Sequence, residues 1–403
     1  MSPLARPKDR RGLRRPRTKT SLSPYRLPSG KILLARDVFG LGSELADDRA
    51  GTVWRLLELM DGSRDLAAIH RTLARSHPGR DRATVGRAVE ALRRIGVVEE
   101  GAGTPHGGLD PKAQDRYSRN LEFFSLVTVG SDRPPAELQQ RLHDARVTVL
   151  GLGAIGSATA MSLVALGVGR IRILDHDRVE RSNLNRQLLY TTRDIGRLKV
   201  TAARDRLRAL NPDVEVVAER CRVRGPSDLL PLLRDTDLFV LGADQPHEIL
   251  TWTNDAALRT GTPWLDNSYA GPRVALALFV PGRTPCLRCL QHYLERRLRR
   301  QGAFEGTELF PPATANAVIA PTAGIAGHLG ALHAMYFLTG LPTPAEGRLL
   351  QVNLWSPKDV RLERPPFWRQ CPACGSGRAG RPRSRVARPR PRPASGRRSR
   401  RRL

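Results

Sequence analysis

The chain has 403 residues, enough for two or three domains. Hydrophobic residues make up 40% of it, which suits a folded protein and excludes wholesale disorder. The formal net charge of +28 suggests a nucleic-acid binder until it is located: residues 1–20 carry +7 and residues 376–403 carry +12, leaving +9 for everything between. No apolar run reaches the roughly 18 residues of a membrane span. The basic N-terminus also lacks the apolar stretch of a signal peptide, so a cytoplasmic location is expected.

In chain order, residues 1–22 form a basic tail that mixes Arg with Pro and is expected to be disordered. Residues 23–100 read as a small α+β unit. PYRLPSGKILLARD and FGLGSELADD are short strands with a Ser-Gly turn. TVWRLLELM places Val53, Leu56, Leu57 and Met60 on one helical face. LAAIHRTLARSH and RATVGRAVEALRRIG repeat that spacing, and GVVEE closes the unit. Residues 101–112, rich in Gly and Pro, read as a linker.

Residues 113–375 alternate strand and helix: RVTVLGLG, AIGSATAMSLVALGVG, RIRILDHD, then DTDLFVLGAD, TPWLDNS and RVALALFV. That order predicts an α/β domain with a parallel, doubly wound sheet. Residues 376–403, with twelve arginines and no acid, form a second tail expected to be disordered. An Arg-rich tail can engage nucleic acid. Solvation without a specific target is the preferred reading.

Gly151, Gly153 and Gly156 fall at the turn between the first strand and helix of this domain. There a phosphate can approach the backbone and the helix N-terminus. Asp175 ends the next strand, where a carboxylate accepts from ribose hydroxyls. That pair of features fits an NAD dehydrogenase equally well.

The continuation does not. Residues 175–187 read DHDRVERSNLNRQ, followed by DIGRLKV at 194–200 and LNPDVEV at 210–216. Over about 115–375 this resembles the ThiF/MoeB/HesA family, bacterial relatives of ubiquitin-activating E1 enzymes. The resemblance implies a Rossmann-like E1 fold and an ATP-dependent adenylyltransferase that activates a carboxylate. It puts Asp175 on the ribose and Asn183, Arg186 and Lys199 around the phosphates, with Gln187 in the same nucleotide-binding set. Asp244, in LGADQ, matches the family's Mg²⁺-binding acid. RYSRN at 116–120 resembles the family's RYxRQ segment, making Arg119 a candidate arginine that reaches across a homodimer. Ala154 stands where glycine is commoner, and Leu241 and Gln245 depart from the usual xxTDN.

Cys286, Cys289, Cys371 and Cys374 form two CxxC pairs, which suit a closed structural Zn²⁺ site. Disulfides or an iron–sulfur cluster would use the same residues. The family's PCxRC and terminal CxxCG stand in matching places and favour zinc. Cys221 is expected to be a small buried apolar residue. Residues 291–320, where thioester-forming relatives place a cysteine, contain none, so no thioester step is expected.

Residues 23–100 resemble a PqqD-like RiPP recognition element, a winged-helix module that binds leader peptides. This rests on YRLPSGK, the ELADD–TVWRLLELMDGSRDLAAI run and ALRRIGVVEE. It implies a precursor peptide, or a small carrier protein, as partner. Arg82, Arg87, Arg93 and Arg94 would line its groove. The alternative reading is a non-catalytic scaffold that delivers the precursor to a partner cyclodehydratase.

Overall fold

The structure, a computed structural model, describes residues 13–19, 22–35, 42–101, 109–128, 133–301, 317–356 and 358–375. The chain forms two compact units, residues 1–140 and 141–403. The boundary between these units falls at residues 140–141.

The first unit runs β1 (Pro16–Thr18), β2 (Pro24–Arg26), β3 (Ile32–Ala35), β4 (Gly42–Leu45), α1 (Thr52–Leu59), α2 (Leu66–Ser76), α3 (Arg82–Arg94), β5 (Val98–Glu100), α4 (Pro111–Arg116) and α5 (Ser118–Val127). The expected Ser-Gly turn joins β2 to β3, with Gly30 at φ +79° and the Leu27 N–H bonded to the Lys31 carbonyl at 2.9 Å. Asp65 and Asp81 cap α2 and α3 by accepting from the N–H groups of Ala68 and Thr84. Ile32, Leu34, Leu56, Ile69, Leu73 and Val89 share one core.

Part of the basic tail is ordered, contrary to expectation. β1 pairs antiparallel with β5, Pro16 opposite Glu100 and Thr18 opposite Val98. The Glu100 carboxylate accepts from the backbone N–H groups of Arg14 and Arg15, and Glu99 pairs with Arg17 at 2.7 Å. Lys19 is buried, its Nζ donating to the Ser125 carbonyl. The acids that fix this segment lie more than 80 residues away, beyond any local composition window. The linker also ends early: Asp110 caps α4, while residues 102–108 lie outside the described residues.

Helix α6 (Pro135–Asp144) leads into β6 (Arg146–Leu150), α7 (Ala154–Leu166), β7 (Arg170–Asp175), α8 (Lys199–Leu210), β8 (Glu215–Arg220), α9 (Pro226–Leu233), β9 (Leu238–Leu241), α10 (Ile249–Thr260), β10 (Trp264–Ala270), β11 (Arg273–Phe279), α11 (Leu287–Arg300), α12 (Ala320–Thr339), β12 (Leu349–Asn353) and β13 (Val360–Glu363). Their eight strands form one sheet in the order β13-β12-β11-β10-β9-β6-β7-β8. The α/β reading holds, but the sheet is mixed. Strands β10-β9-β6-β7-β8 are parallel, whereas β11, β12 and β13 continue the sheet antiparallel. The cause is local. Only Gly271 and Pro272 separate β10 from β11, and so short a loop forces a reversal.

Trp264 and Phe279 stack at 4.7 Å within a core that includes Leu229, Leu233, Phe239 and Leu290. On the other face α12 lies close against α7, because a Cβ on Gly327 would meet the Ala158 Cβ at 2.5 Å. From β6 the chain winds outward through β7 and β8, then returns to β9 on the opposite side of β6. Such a switch point opens a crevice at the C-terminal ends of the strands. No described helix is long and apolar enough to cross a membrane.

Candidate active site

A cavity of about 980 Å³ fills that crevice. Its wall includes Gly151, Gly153, Asp175, Arg186, Gln187, Lys199 and Asp244, seven of the residues singled out in the sequence. Five segments supply them: the β6–α7 turn, the end of β7, the β7–α8 connection, the start of α8 and the turn after β9.

The glycines do separate jobs. Gly151 has φ +89°, and a Cβ there would lie 2.5 Å from the Ala243 nitrogen. A Cβ on Gly156 would collide with the Gly151 carbonyl oxygen, so α7 can start this tightly only without a side chain. Around Gly153 nothing lies within 4 Å of such a Cβ, so that glycine faces open cavity. Gly156 itself supports the turn and is not on the cavity wall.

Asp175 is buried and holds the loop as well as facing the cavity. Its Oδ2 accepts from the Leu152 N–H at 2.6 Å and its Oδ1 from the Asp177 N–H at 2.8 Å. Tyr190, which the sequence reading missed, closes the loop from the other side by donating its hydroxyl to the Leu152 carbonyl at 2.9 Å. Burial, with Asp175 nearby, pushes that phenol far above its ordinary range, so it stays a donor. Nothing in the local sequence of LLYTT distinguishes Tyr190 from a core aromatic.

Lys199 is buried at the start of α8, its ammonium 3.0 Å from Asp177. Arg186 is held by the Ser182 carbonyl at 2.8 Å and by Asn185 Oδ1 at 2.9 Å. Asp244, three residues beyond β9, has no hydrogen bond or ion pair among the described residues. Gln187 is buried with its Oε1 unpartnered. The structure does not bring every expected residue to the cavity. Asn183 turns inward to accept from the Glu180 N–H, closing the turn of residues 181–183. Arg119 lies on α5, exposed and paired with Glu122 on the same helix at 2.9 Å. Cys221, expected in the core, is only half-buried and forms part of the cavity wall just beyond β8. Asp266, also unforeseen, lies on that wall as the third residue of β10, opposite Leu241 at the end of β9.

The four other cysteines converge as their spacing implies. Sγ–Sγ distances are 3.9 Å for Cys286–Cys289, 3.6 Å for Cys286–Cys371 and 3.5 Å for Cys289–Cys374. A tetrahedron of sulfurs about 2.3 Å from a zinc ion has edges of about 3.8 Å, so this set fits the metal. None of the five cysteines forms a disulfide. Gly375 belongs to the knuckle: a Cβ there would meet the Cys371 nitrogen at 2.5 Å, and its N–H donates to the Cys371 carbonyl. The stacked rings of His292 and Trp368 flank the cluster. The site fastens the start of α11 to the segment after β13.

Comparison with known proteins agrees with this architecture. The ThiF family profile matches residues 117–374. The sulfur carrier protein ThiS adenylyltransferase of Escherichia coli is 32% identical over 269 residues, covering 66% of this chain and 96% of that protein. The protein of the same name from Bacillus subtilis is 40% identical over 177 residues, covering 43% of this chain and half of the relative's length. Among solved structures, that of E. coli MccB with ATP superposes with a TM-score of 0.71 at 20% identity, covering 89% of this chain and 99% of MccB. That likeness establishes the shared fold.

Proposed function

We propose, from the premise that this chain belongs to the ThiF family, that it is an adenylyltransferase that joins a substrate carboxylate to the α-phosphate of ATP and releases pyrophosphate. One observation carries the reading: a single cavity at the switch point gathers Gly153, Asp175, Arg186, Lys199 and Asp244. Two anions must meet in this reaction, so cations have to offset the repulsion, and no general base is needed for a carboxylate already ionised at pH 7.

In this reading the open backbone at Gly153 and the N-terminus of α7 receive phosphate, and Asp175 accepts from the ribose. Lys199 and Arg186 neutralise charge as the carboxylate oxygen bonds to the α-phosphorus and the bond to the bridging oxygen of pyrophosphate breaks. Asp244, a hard oxygen donor without a partner, fits Mg²⁺, which would screen the phosphates. Asp175 fits the metal less well, because both its oxygens already accept N–H groups. Arg119, exposed on α5, would serve the nucleotide of a second protomer in a homodimer. Zinc on the four cysteines is structural.

The N-terminal unit would select the substrate as a PqqD-like leader-peptide module. A groove of about 290 Å³ there is lined by Lys19, Leu22, Trp54, Leu57, Glu58 and Met60. The arginines of α3 do not line it, and Arg93 and Arg94 are engaged by Glu90. Support for a peptide or carrier-protein substrate comes from the relatives, which include ThiS adenylyltransferases, and from structures of MccB determined with its MccA peptide. A scaffold that merely delivers precursor to a cyclodehydratase would not require the charged set in the cavity.

Calorimetric titration of the zinc-loaded protein with Mg-ATP tests the proposal. Micromolar binding is expected, weakened about tenfold or more by Lys199→Ala or Arg186→Ala. A folded wild-type protein that binds no Mg-ATP would overturn it.

A further inference from the structure

Alternation along β10 puts Asp266 on the same face as Trp264, whose ring stacks on Phe279 in the main core. Asp266 shares the cavity wall with Ile249 and Trp252. No ion pair reaches it among the described residues, and the one group favouring its charge is the backbone N–H of Asn267. Of the cations on the cavity wall, Lys199 is engaged by Asp177 and Arg186 by Ser182 and Asn185, while Arg222 and Arg224, just beyond β8, make no ion pair with Asp266. Burial consequently pushes the Asp266 carboxyl up to about 6.

A carboxyl in this place works against the reaction proposed above. ATP brings a polyanion and the substrate brings a second anion, so another acid on the cavity wall, itself half-buried, adds repulsion unless a donor faces it. The nucleotide side of the cavity is assigned to β6, β7 and the start of α8. Asp266 lies beyond β9, on the side left for the acyl substrate.

We infer that Asp266 is a specificity-determining residue, selecting an acyl substrate whose terminal residue carries a hydrogen-bond donor, an ammonium or an amide. The inference rests on the adenylyltransferase reading. A substrate ending in bare glycine would leave the carboxyl unpaired, and one ending in an acidic residue would oppose it. A buried polar group discriminates strongly in this way, because the wrong ligand pays its full desolvation.

The test uses the full-length zinc-loaded protein and four stable acyl-adenylate mimics, the N-acetyl-lysyl, -asparaginyl, -glycyl and -aspartyl sulfamoyladenosines, titrated calorimetrically without added Mg²⁺. The wild-type protein should bind the lysyl and asparaginyl compounds about tenfold or more tighter than the glycyl and aspartyl compounds. In Asp266→Asn the lysyl-to-glycyl ratio should fall toward one. Equal affinities across the panel in the wild type, or tightest binding of the aspartyl compound, overturn the inference while leaving the adenylyltransferase reading in place. An equal loss for all four compounds in Asp266→Asn also overturns it, since that marks a general electrostatic or metal-holding role. If neither Mg-ATP nor any mimic binds the wild-type protein, the adenylyltransferase reading falls and this inference falls with it.

Discussion

Asp266 and Tyr190 each answer to surroundings that no nearby residue announces. In an unfolded chain an aspartate ionises near 3.8, whereas burial keeps Asp266 protonated up to about 6. Folding therefore favours its protonated form. Below 3.8 both states hold the proton and the group costs nothing; between 3.8 and 6 stability declines as pH rises, and above 6 the penalty is constant. Asp266→Asn removes that penalty. The variant should melt above the wild type at pH 7.5, and the gap should narrow as pH falls to 4.5. Melting curves at both pH values check this, and a gap that does not change with pH would show an ordinary carboxyl. The sequence exposed Asp175 because it ends the strand that follows a glycine turn, and Lys199 because DIGRLKV resembles a family segment. It did not expose Asp266 or Tyr190, whose meaning depends on strand alternation and on a loop folding back over 38 residues to Leu152.

At the scale of elements, the β6–α7 turn was legible because its glycines recur at a fixed spacing between a strand and a helix, although the demand on Gly151 is made by Gly242 and Ala243 on a distant segment. Two of these environments predict different outcomes. Gly156→Ala drives a methyl group into the Gly151 carbonyl and should lower the melting temperature by several degrees, consistent with overpacking costs of about 1–3 kcal/mol. Gly153→Ala meets no protein atom, so the fold should be retained while the methyl obstructs the phosphate and Mg-ATP affinity falls about tenfold or more. Calorimetry and thermal melting on the same two variants separate the effects. Comparable losses in both would mean that Gly153 supports the turn instead of the ligand. The zinc knuckle was legible for a related reason, since CxxC spacing encodes metal geometry directly. Cys374→Ser should abolish the expected single zinc per chain, measured by metal release. It should also lower the melting temperature: a loss of ~3 kcal/mol corresponds to about 6–12 °C in a domain of about 150–250 residues and to a smaller shift in this larger chain. The antiparallel extension of the sheet was not legible, because alternation of strand and helix masks a reversal made by two residues.

Charge is a property of the whole molecule, and here composition misled in one place. Nineteen of the 28 excess positive charges lie in residues 1–20 and 376–403, which suggested two equivalent tails. They are not equivalent. Arg17 pairs with Glu99 across the β1–β5 pair, and the backbone N–H groups of Arg14 and Arg15 donate to Glu100, so this part of the N-terminal segment stabilises the first unit. The twelve arginines after residue 375 follow the last zinc ligand and its supporting glycine, and they have no acidic neighbours in sequence. Deleting residues 376–403 should therefore lower the salt needed to elute the protein from heparin, because fewer counterions are released on binding. Mg-ATP affinity and melting temperature should stay as they were. Deleting residues 1–20 should lower heparin retention too, but it also strips β1 from β5 and uncovers Glu99 and Glu100, so the first unit should lose stability. Heparin elution paired with melting of the two truncations distinguishes these roles. Equal stability of both would mean that the β1–β5 pair contributes nothing to the fold, and loss of Mg-ATP binding on removal of 376–403 alone would tie the C-terminal arginines to the nucleotide.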